Sequence, residues 1–294
     1  MNRLLIFSLL LTCQLVVSAM KPAKVLVVAG QSNTDGRCPN VELPVYIKWL
    51  ATDTVNFSSG AYRYCKMSQN RVDGMFEPFW PQATKAGIEN SWAYDAVTYY
   101  WMEQAEDAPF YVIKWAVGGT SIAVNHQAKN GRFWSADLEW LKEEKSTAHG
   151  GRSLLLSLAE QIEACVNNTL KHLKEGYQVE AIVWHQGESD YKKGELYYDN
   201  LKGVFDFLRA CLTEQTGHDY SHLPIVLGTV AKANKCYNPQ VEQAMKRLAS
   251  EDENIYVIDM SRAGLLRDRL HFNAESAVYM GLQVYNILQK LQVK

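Results

Sequence analysis

VLVVAGQSNTDGR, residues 25–37, joins an apolar run to a polar cluster that is rich in turn-forming residues. The run Val25–Ala29 is nearly continuous in aliphatic residues, which is typical of a strand that is covered on both faces. The polar residues Gly30-Gln31-Ser32-Asn33 follow it at once. This cluster is either an ordinary exit from a strand or the position of a nucleophilic serine, and the rest of the chain has to decide between the two.

Four further apolar runs resemble Val25–Ala29, at residues 110–116, 181–184, 224–230 and 255–258. Between these runs, apolar residues recur every three or four positions, which predicts helices. The helical patterns begin near Ser91 and cover residues 155–173, 197–212, 241–248 and 274–291. Strands that alternate with helices form a parallel sheet with helices on both faces. We therefore predict an α/β protein with three α/β/α layers and a five-stranded parallel sheet.

The composition is that of an ordinary globular protein. The chain has 294 residues, of which 47% are hydrophobic and 21% are charged, and its formal net charge is −2. Because charges of one sign do not cluster, neither nucleic acid nor anionic lipid is an expected partner. No repeat or linker divides residues 20–294, which we predict to form a single domain. The segments at about 37–90 and 118–151 are too long and too aromatic for simple connections, and we expect them to be insertions above the sheet.

Residues 1–19 have the pattern of a signal peptide. Arg3 gives a positive start, residues 4–11 are apolar, and small residues precede the expected cleavage near Ala19. This pattern predicts export, to the periplasm or out of the cell. Lipid attachment at Cys13 is the alternative, but Thr12 is bulky for the position before such a cysteine. No later segment is apolar enough to predict a transmembrane helix.

Cysteine and histidine spacing gives no sign of a metal. Removing the signal peptide leaves five of the six cysteines, and none of them form a CxxC pair. Cys165 and Cys211 lie on apolar helix faces and are expected to be buried, whereas Cys38 and Cys65 share a loop-rich region where a disulfide can form. His218 and His222 are four residues apart but lack a third ligand. We expect no metal and no other cofactor.

Polar clusters follow four of the predicted strands, at the edge where parallel sheets of this type bind ligands. Besides GQSN they are GGT at 118–120, HQGESD at 185–190 and DRLH at 268–271. The clusters come from distant parts of the chain, yet the predicted topology brings them together. Loop composition alone does not explain this convergence, so the sequence predicts a functional site at this edge.

The residue types in these clusters suit nucleophilic catalysis. A serine hydroxyl is a poor nucleophile until an imidazole takes its proton, and a carboxylate fixes the tautomer of that imidazole. Asp268 and His271 are three residues apart, so a turn can bring the carboxylate to one ring nitrogen and leave the other for Ser32. Glu188 and Asp190 are alternative carboxylates for the same histidine.

A serine esterase also needs hydrogen-bond donors that stabilise the oxyanion of its tetrahedral intermediate. The candidates are the backbone N–H of Ser32, the N–H of Gly118 or Gly119, and the side-chain amide of Gln186. Other polar residues of the clusters are expected to support the loops: Gln31, Asn33, Glu188, Asp190 and His185.

GQSN, GGTS, WHQGESD and DRLHF, in this order, resemble the conserved blocks of the SGNH (GDSL-type) hydrolases. More narrowly they resemble the sialate O-acetylesterase-like branch, which includes acetyl xylan esterases of carbohydrate esterase family six. The resemblance spans nearly the whole mature chain. It implies a flavodoxin-like fold and metal-free removal of O-acetyl groups from carbohydrates. Carried over by position, it makes Ser32 the nucleophile, His271 the base and Asp268 its partner, with Gln186 and a glycine of GGT in the oxyanion hole.

Some features depart from this pattern or leave alternatives open. Family members often have Met after GQSN, whereas this chain has Thr34-Asp35, and Asp35 adds a carboxylate that can alter substrate preference. A GDSL-type esterase or lipase for longer acyl chains is one alternative function, and a carbohydrate-binding protein without catalysis is another. The sugar stays open between xylan, another plant-wall polysaccharide and sialic acid. Several aromatic residues either line a sugar cleft or pack in the core: Tyr62, Tyr64, Trp80, Trp134, Trp140 and Tyr237.

Overall fold

The computed structural model describes residues 21–47, 55–59, 73–79, 83–85, 88–105, 109–124 and 131–292. Several sequence-based predictions fall outside these ranges: the signal peptide at 1–19, lipid attachment at Cys13, and the roles of Tyr62, Tyr64, Cys65 and Trp80.

The strands of the described residues are β1 (Ala23–Gly30), β2 (Cys38–Pro39), β3 (Val55–Ser59), β4 (Glu77–Pro78), β5 (Ala83–Lys85), β6 (Ile88–Trp92), β7 (Phe110–Ala116), β8 (Tyr177–His185), β9 (Ile225–Gly228) and β10 (Ile255–Ile258). The α-helices are α1 (Ser32–Asp35), α2 (Asp95–Ala105), α3 (Leu138–Glu143), α4 (Leu154–Asn168), α5 (Tyr197–Thr216), α6 (Pro239–Glu251) and α7 (Ala274–Leu291).

The central sheet has the strand order β10-β9-β8-β1-β7-β3-β4. The five strands predicted from apolar runs are its first five members, and every pairing among them is parallel. The predicted fold class is therefore confirmed. Two strands of the first insertion extend the sheet: β3 pairs with β7 in parallel, and β4 pairs with β3 antiparallel. They cover what would otherwise be the exposed edge of β7.

Alternate residues of β1 enter two separate hydrophobic cores. Val25, Val27 and Ala29 pack with residues of α4, α5 and α6. Leu26 and Val28 pack on the other face with residues of α2 and α7. Because side chains of a strand alternate between faces, an uninterrupted apolar run is what a strand between two helical layers requires. The burial of β1 thus accounts for the sequence pattern from which it was predicted.

Two predicted helix boundaries were wrong. Ser91 does not cap α2, because it lies in β6, where it pairs with Pro39 and its hydroxyl donates to Gly36 O at 3.1 Å. Helix α2 begins four residues later, at Asp95. Helix α4 ends at Asn168 instead of running on to residue 173, and a short 3₁₀ turn follows it. In both places a local hydrogen-bonding alternative replaces the regular helix that the apolar spacing predicted.

Three of the four described cysteines, and about half of the described aromatic residues, are buried. Cys165 and Cys211 are buried, as predicted, and Cys38 is a buried free thiol, so the alternative of a disulfide at Cys38 is not realised. Trp134 is fully buried and stacks edge-on against Trp184, with ring centroids 5.2 Å apart. Trp134 therefore belongs to the core and not to a sugar cleft. Within the described residues, no helix is long and apolar enough to span a membrane.

Candidate active site

Ser32 lies directly after β1 and opens the short helix α1. The preceding Gly30 has a φ of 146°, and a Cβ at this position would lie 2.1 Å from His185 O. Only glycine tolerates both this conformation and this close approach. The backbone N–H of Gln31 and the hydroxyl of Thr34 both donate to His185 O, at 3.0 and 3.2 Å. These bonds fix the turn that presents Ser32 at the carboxyl edge of the sheet.

The loop after β7 lies next to Ser32. Val117 N donates to Gly30 O at 3.2 Å, which extends the pairing of β1 and β7 into the two loops. A Cβ on Gly118 would lie 3.2 Å from the Cβ of Ser32. Gly119 follows with a φ of 73°, in the left-handed region, and starts the turn that leads to Thr120. Ser32 and Gly118, which the sequence predicted to converge, are therefore immediate neighbours.

Asp190 holds the loop after β7 against the loop after β8. It is almost completely buried and accepts the backbone N–H groups of Ile122 and Ala123, each at 2.9 Å. Its Oδ2 also accepts from the Gln186 amide at 2.6 Å. Burial raises the pKa of Asp190 to about 6, although these hydrogen bonds act in the opposite direction. Asp190 is thus bound to the loops and is not a partner of His271.

The side chain of Gln186 is fully buried and has hydrogen-bond partners in the loops after β7 and β8. Its Nε2 donates to Thr120 O at 3.1 Å as well as to Asp190, and its Oε1 accepts from the hydroxyl of Tyr197 at 3.0 Å. An amide nitrogen has two hydrogens, and both are donated here. In this structure both amide hydrogens are therefore directed at buried acceptors, and the role of Gln186 as an oxyanion donor stays a prediction.

Asn33 links the loop of Ser32 to the loop of His271. Its Oδ1 accepts from Phe272 N at 3.0 Å, and its Nδ2 donates to Glu188 Oε1 at 2.8 Å. The residue after the candidate nucleophile thus holds the residue after the candidate base. On the other side of Ser32, Gln31 Oε1 accepts from Ser189 N at 3.3 Å. The two neighbours of Ser32 therefore connect its loop to both facing loops.

Glu188 and His185 are both buried next to Asn33, beneath the loop of Ser32. Its Oε1 lies 3.2 Å from His185 Nε2, and the other ring nitrogen lies 3.1 Å from Gly228 O. Burial raises the pKa of Glu188, but the electrostatic interaction with the His185 imidazole and the hydrogen bonds from His185 and Asn33 together bring it below the usual value. Glu188 is engaged by these two residues, so this alternative carboxylate does not contact His271 either.

Asp268 is the carboxylate that contacts His271. The distance from His271 Nδ1 to Asp268 Oδ2 is 2.5 Å, and the other carboxylate oxygen accepts the backbone N–H groups of Leu270 and His271 at 2.9 and 3.1 Å. Partial burial raises the pKa of Asp268, but these backbone bonds and the imidazole outweigh it and lower the pKa below its usual value. The ionised carboxylate holds the imidazole with Nε2 as the ring nitrogen that remains for Ser32.

The loop that carries His271 is held by the loop after β9. Asn234 Nδ2 donates to Leu270 O at 2.9 Å, and Lys235 Nζ donates to Asp268 O at 3.0 Å. Among the described residues, Phe272 joins the two halves of the site, since its N–H donates to Asn33 Oδ1 and its carbonyl oxygen accepts from Cys38 Sγ at 3.2 Å. The side chains of Ser32 and His271 are not hydrogen-bonded to each other. Catalytic hydrogen bonds of this kind are often longer before substrate binds.

Arg37 is a site residue that the sequence analysis did not identify. Its Nη1 donates to Asp35 Oδ2 and to Gly36 O, both at 2.6 Å. A Cβ on Gly118 would lie 2.4 Å from Arg37 Nη2, so the guanidinium covers the face of that glycine. In the sequence, the signal for this pair was an acidic and a basic residue on either side of Gly36. In the structure, Asp35 forms an ion pair with Arg37.

Changing Asn33 to Asp tests the link between the two loops. The new carboxylate would face Glu188 across the 2.8 Å contact that an amide now bridges. Two buried carboxylates at that distance repel each other. The repulsion should displace residue 33, and the loop of His271 should shift with it because Phe272 N is hydrogen-bonded to that residue. Small misplacements of reacting groups cost about 10² in rate, and we expect kcat for p-nitrophenyl acetate to fall by about that factor.

The double variant Asn33→Asp with Glu188→Gln is the matched control. The new amide of residue 188 can donate to the new carboxylate of residue 33, which can still accept from Phe272 N. Most of the lost kcat should return in the double variant, as interacting residues show in double-mutant cycles. A double variant no faster than Asn33→Asp alone would contradict the proposed link.

The raised pKa of Asp190 predicts a pH-dependent stability. The folded pKa of about 6 is above the value of 3.8 for an accessible carboxyl, so the folded state binds the proton more tightly than the unfolded state. Its contribution to the free energy of unfolding is therefore full below about pH 4 and is lost as the pH rises through 6. At 1.36 kcal/mol per pKa unit the loss is about 3 kcal/mol.

Urea unfolding of wild-type protein and Asp190→Asn over this pH range measures that contribution. Other titrating groups cancel in the difference between the two proteins, while the hydrogen bonds that asparagine loses give an offset that does not depend on pH. A difference that stays constant from about pH 4 to 7 would show that Asp190 does not titrate in this way.

Comparisons of this chain with known proteins found a matching family model, a curated relative and similar solved structures. The family model described as "Carbohydrate esterase, sialic acid-specific acetylesterase" matches residues 22–290. A probable carbohydrate esterase of Arabidopsis thaliana is 29% identical over 127 residues, which are 42% of this chain and 45% of that protein. The match thus spans less than half the length of that curated relative.

Three solved structures resemble the chain over most of its length. An Arabidopsis thaliana protein has a TM-score of 0.63 at 20% identity, covering 92% of this chain and 98% of its own. NanS has a TM-score of 0.61 at 14% identity, covering 95% of this chain and all of its own, 100%. A carbohydrate acetylesterase from Xanthomonas citri has a TM-score of 0.52 at 12% identity, with coverages of 89% and 54%. These likenesses show a shared fold.

Proposed function

The chain belongs to the sialic acid-specific acetylesterase family of carbohydrate esterases, and from this membership we propose that it is a serine esterase with Ser32, His271 and Asp268 as its catalytic triad. The family makes it a carboxylic ester hydrolase, and this membership supports acetylated carbohydrate as the substrate. The observation that carries the triad is the Asp268–His271 contact of 2.5 Å, on a loop that Asn33 holds to the neighbour of Ser32.

In the first half of the reaction, His271 Nε2 takes the proton of Ser32 as Oγ attacks the acetyl carbonyl carbon. Asp268 stabilises the imidazolium that forms. When the tetrahedral intermediate collapses, the bond to the sugar oxygen breaks, and His271 gives its proton to that oxygen. The sugar leaves with a free hydroxyl, and the acetyl group remains as an ester on Ser32.

In the second half, water replaces the sugar. His271 takes a proton from the water molecule as its oxygen attacks the acetyl ester, and then returns the proton to Ser32 Oγ as acetate leaves. The oxyanion of both tetrahedral intermediates needs preorganised donors. The N–H groups of Ser32 and of Gly118 or Gly119 are the backbone candidates, because the loops after β1 and β7 lie side by side.

The substrate we propose is an O-acetylated carbohydrate, and the proposed location is outside the cytoplasm. Family membership and the pattern of residues 1–19 support these two proposals respectively. The predicted insertions at about 37–90 and 118–151 begin beside Ser32, at Arg37 and Gly118. We expect these segments to select the sugar, because specificity lies in the loops that a fold carries.

Acetate release tests this function. Purified enzyme is incubated with acetylated xylan, pectin, mannan and sialoglycans, and with p-nitrophenyl esters of increasing acyl length. We expect acetate from at least one carbohydrate and a higher kcat/KM for p-nitrophenyl acetate than for the butyrate. A preference for butyrate or longer chains would favour a lipase-like activity, and sugar binding without acetate release would favour a binding protein.

A further inference from the structure

The loop that carries His271 is hydrogen-bonded at every carbonyl group of residues 268–272. The carbonyl oxygen of His271 accepts from Leu266 N at 2.8 Å, and that of Phe272 accepts from Cys38 Sγ at 3.2 Å. The three carbonyl groups before them accept from two consecutive residues of the loop after β9: Asn234 and Lys235. Because backbone groups that are bonded in this way cannot turn freely, the place of the imidazole depends on these partners.

Asn234 and Lys235 bond three carbonyl groups in a row. Asn234 Nδ2 donates to Leu270 O at 2.9 Å. The backbone N–H of Lys235 donates to Arg269 O, and its Nζ donates to Asp268 O, both at 3.0 Å. The ammonium bond is exposed to solvent, whereas Asn234 is only 5% exposed. A hydrogen bond shielded from water is stronger than an exposed one, so Asn234 supplies the main side-chain contribution.

Asn234 is itself fixed in its own loop. Its Oδ1 accepts from Cys236 N at 2.8 Å. Its backbone N–H donates to Ala231 O at 3.0 Å, and its carbonyl oxygen accepts from Tyr237 N at 2.9 Å. With backbone and side chain both bonded, the amide nitrogen has a defined direction, and that direction is the carbonyl group next to His271.

Arg269, which lies between Asp268 and His271, has a backbone conformation that is unfavourable for its residue type. Its φ is 57°, and among the described residues it is the only one other than glycine with a positive φ. In this region the Cβ crowds the backbone, a contact that glycine lacks. The side chain of Arg269 is exposed, so packing does not impose the conformation. The hydrogen bonds of the loop must impose it, including those from the loop after β9.

Residues held in unfavourable backbone conformations persist where their surroundings leave no alternative, and they cluster at functional sites. Here the turn through Arg269 returns His271 Nδ1 to the carboxylate of Asp268, at 2.5 Å. With a negative φ at residue 269 the chain would leave this turn in another direction, and the imidazole would move with it. The unfavourable conformation is therefore part of what places the base.

We propose that Asn234 is a positioning residue for His271, because its bond to Leu270 O keeps the turn at Arg269 in the left-handed conformation. This inference rests on the proposed function. The bonds of the Asn234 side chain within the described ranges go to backbone groups of Leu270 and Cys236, so it acts through the loop. Its effect falls on proton transfer by the imidazole and therefore on kcat.

The test compares Asn234→Ala with wild-type enzyme on p-nitrophenyl acetate. Misplacement of a reacting group lowers the rate by about 10², and we expect a loss of kcat of that size with little change in KM. Asn238→Ala is the matched control from the same loop. Asn238 Nδ2 also donates to a carbonyl group, that of Tyr191 at 2.6 Å, and its Oδ1 also accepts the N–H two residues later. Both variants should lower the urea midpoint, but Asn238→Ala should keep most of the wild-type kcat.

Arg269→Gly gives a readout that a purely structural role of Asn234 would not change. Glycine adopts a positive φ readily, so the turn should persist even without the bond from Asn234. The factor by which Asn234→Ala lowers kcat should therefore be about ten times smaller in the Arg269→Gly background than in wild type. A double-mutant cycle on kcat, measured well below every unfolding midpoint, gives this coupling.

Asn234→Asp is a second variant in case the alanine variant does not fold. Its carboxylate can still accept from Cys236 N and hold the loop after β9, but it presents an oxygen instead of a donor to Leu270 O. We expect it to fold and to lose at least as much kcat as Asn234→Ala.

The outcomes distinguish this inference from the function on which it rests. Wild-type kcat in either folded variant of Asn234, or equal losses in Asn234→Ala and Asn238→Ala, would overturn the positioning role. An undiminished loss in the Arg269→Gly background would also overturn it, because the effect would not pass through residue 269. With an inactive Ser32→Ala, each of these results leaves the esterase assignment standing. An active Ser32→Ala would instead overturn the proposed function.

Discussion

Ser32→Ala is expected to lower kcat for p-nitrophenyl acetate by about 10⁶, the size of loss that removal of the nucleophile of a serine hydrolase typically produces. Without the hydroxyl no acetyl-enzyme can form, and only binding and oxyanion stabilisation remain. The hydroxyl makes no hydrogen bond among the described residues, so the melting temperature should change little. Initial rates and thermal unfolding of the same preparations measure both quantities.

Two controls make this result specific to the serine. Ser189→Ala changes a serine of the facing loop that contacts Gln31 through its backbone N–H alone, and it should keep most of the activity. A phosphonate ester should label wild-type protein covalently but not Ser32→Ala, which mass spectrometry of the intact protein detects. Turnover near the wild-type rate in Ser32→Ala would remove the basis for a serine mechanism.

Asp268→Asn should lower kcat by about 10⁴, as the same change does in serine proteases, because an amide does not hold the histidine in the reactive tautomer. The replacement is conservative for the fold. Its side-chain oxygen can still accept the backbone N–H groups of Leu270 and His271 that now bond to Asp268 Oδ1. The loop should therefore persist while the charge that supports His271 is lost.

The same measurement on Glu188→Gln distinguishes the carboxylates. Glu188 contacts Asn33 and His185 and does not contact His271, so its amide variant should lose much less activity than Asp268→Asn. The reverse order of the two losses would mean that Glu188, and not Asp268, supports the base. Steady-state kinetics on p-nitrophenyl acetate at neutral pH is sufficient for this comparison.

The parts of the fold that follow from burial could be predicted from the sequence. A strand covered on both faces must be apolar at consecutive positions, and this property alone identified β1, β7, β8, β9 and β10. β3, with the sequence VNFSS, gives no such signal, because a short strand near the edge of a sheet can be polar. Its place depends on the free edge of β7, which no local pattern reveals.

In the candidate site, spacing predicted contacts between residues close in the chain but not the directions of side chains. Asp268 and His271 meet as their three-residue spacing indicated. Gln186 was correctly placed at the sheet edge, but its amide turns to Asp190, four residues later, and this depends on how the loop folds. Arg37 was missed for the same reason, since only the turn after α1 brings it back over Gly118.

The bond between Asn33 and Phe272 joins residues 239 positions apart in the chain. Contacts of such high sequence separation form late, because the entropy of closing a long loop is lost before the contact is gained. During synthesis, the nucleophile loop emerges long before its base. A nascent or truncated polypeptide that lacks the last helix and the loop before it therefore holds Ser32 without His271 and cannot hydrolyse esters by this mechanism. Catalytic competence arises only when the two ends of the domain have come together, which makes activity itself a report of complete folding.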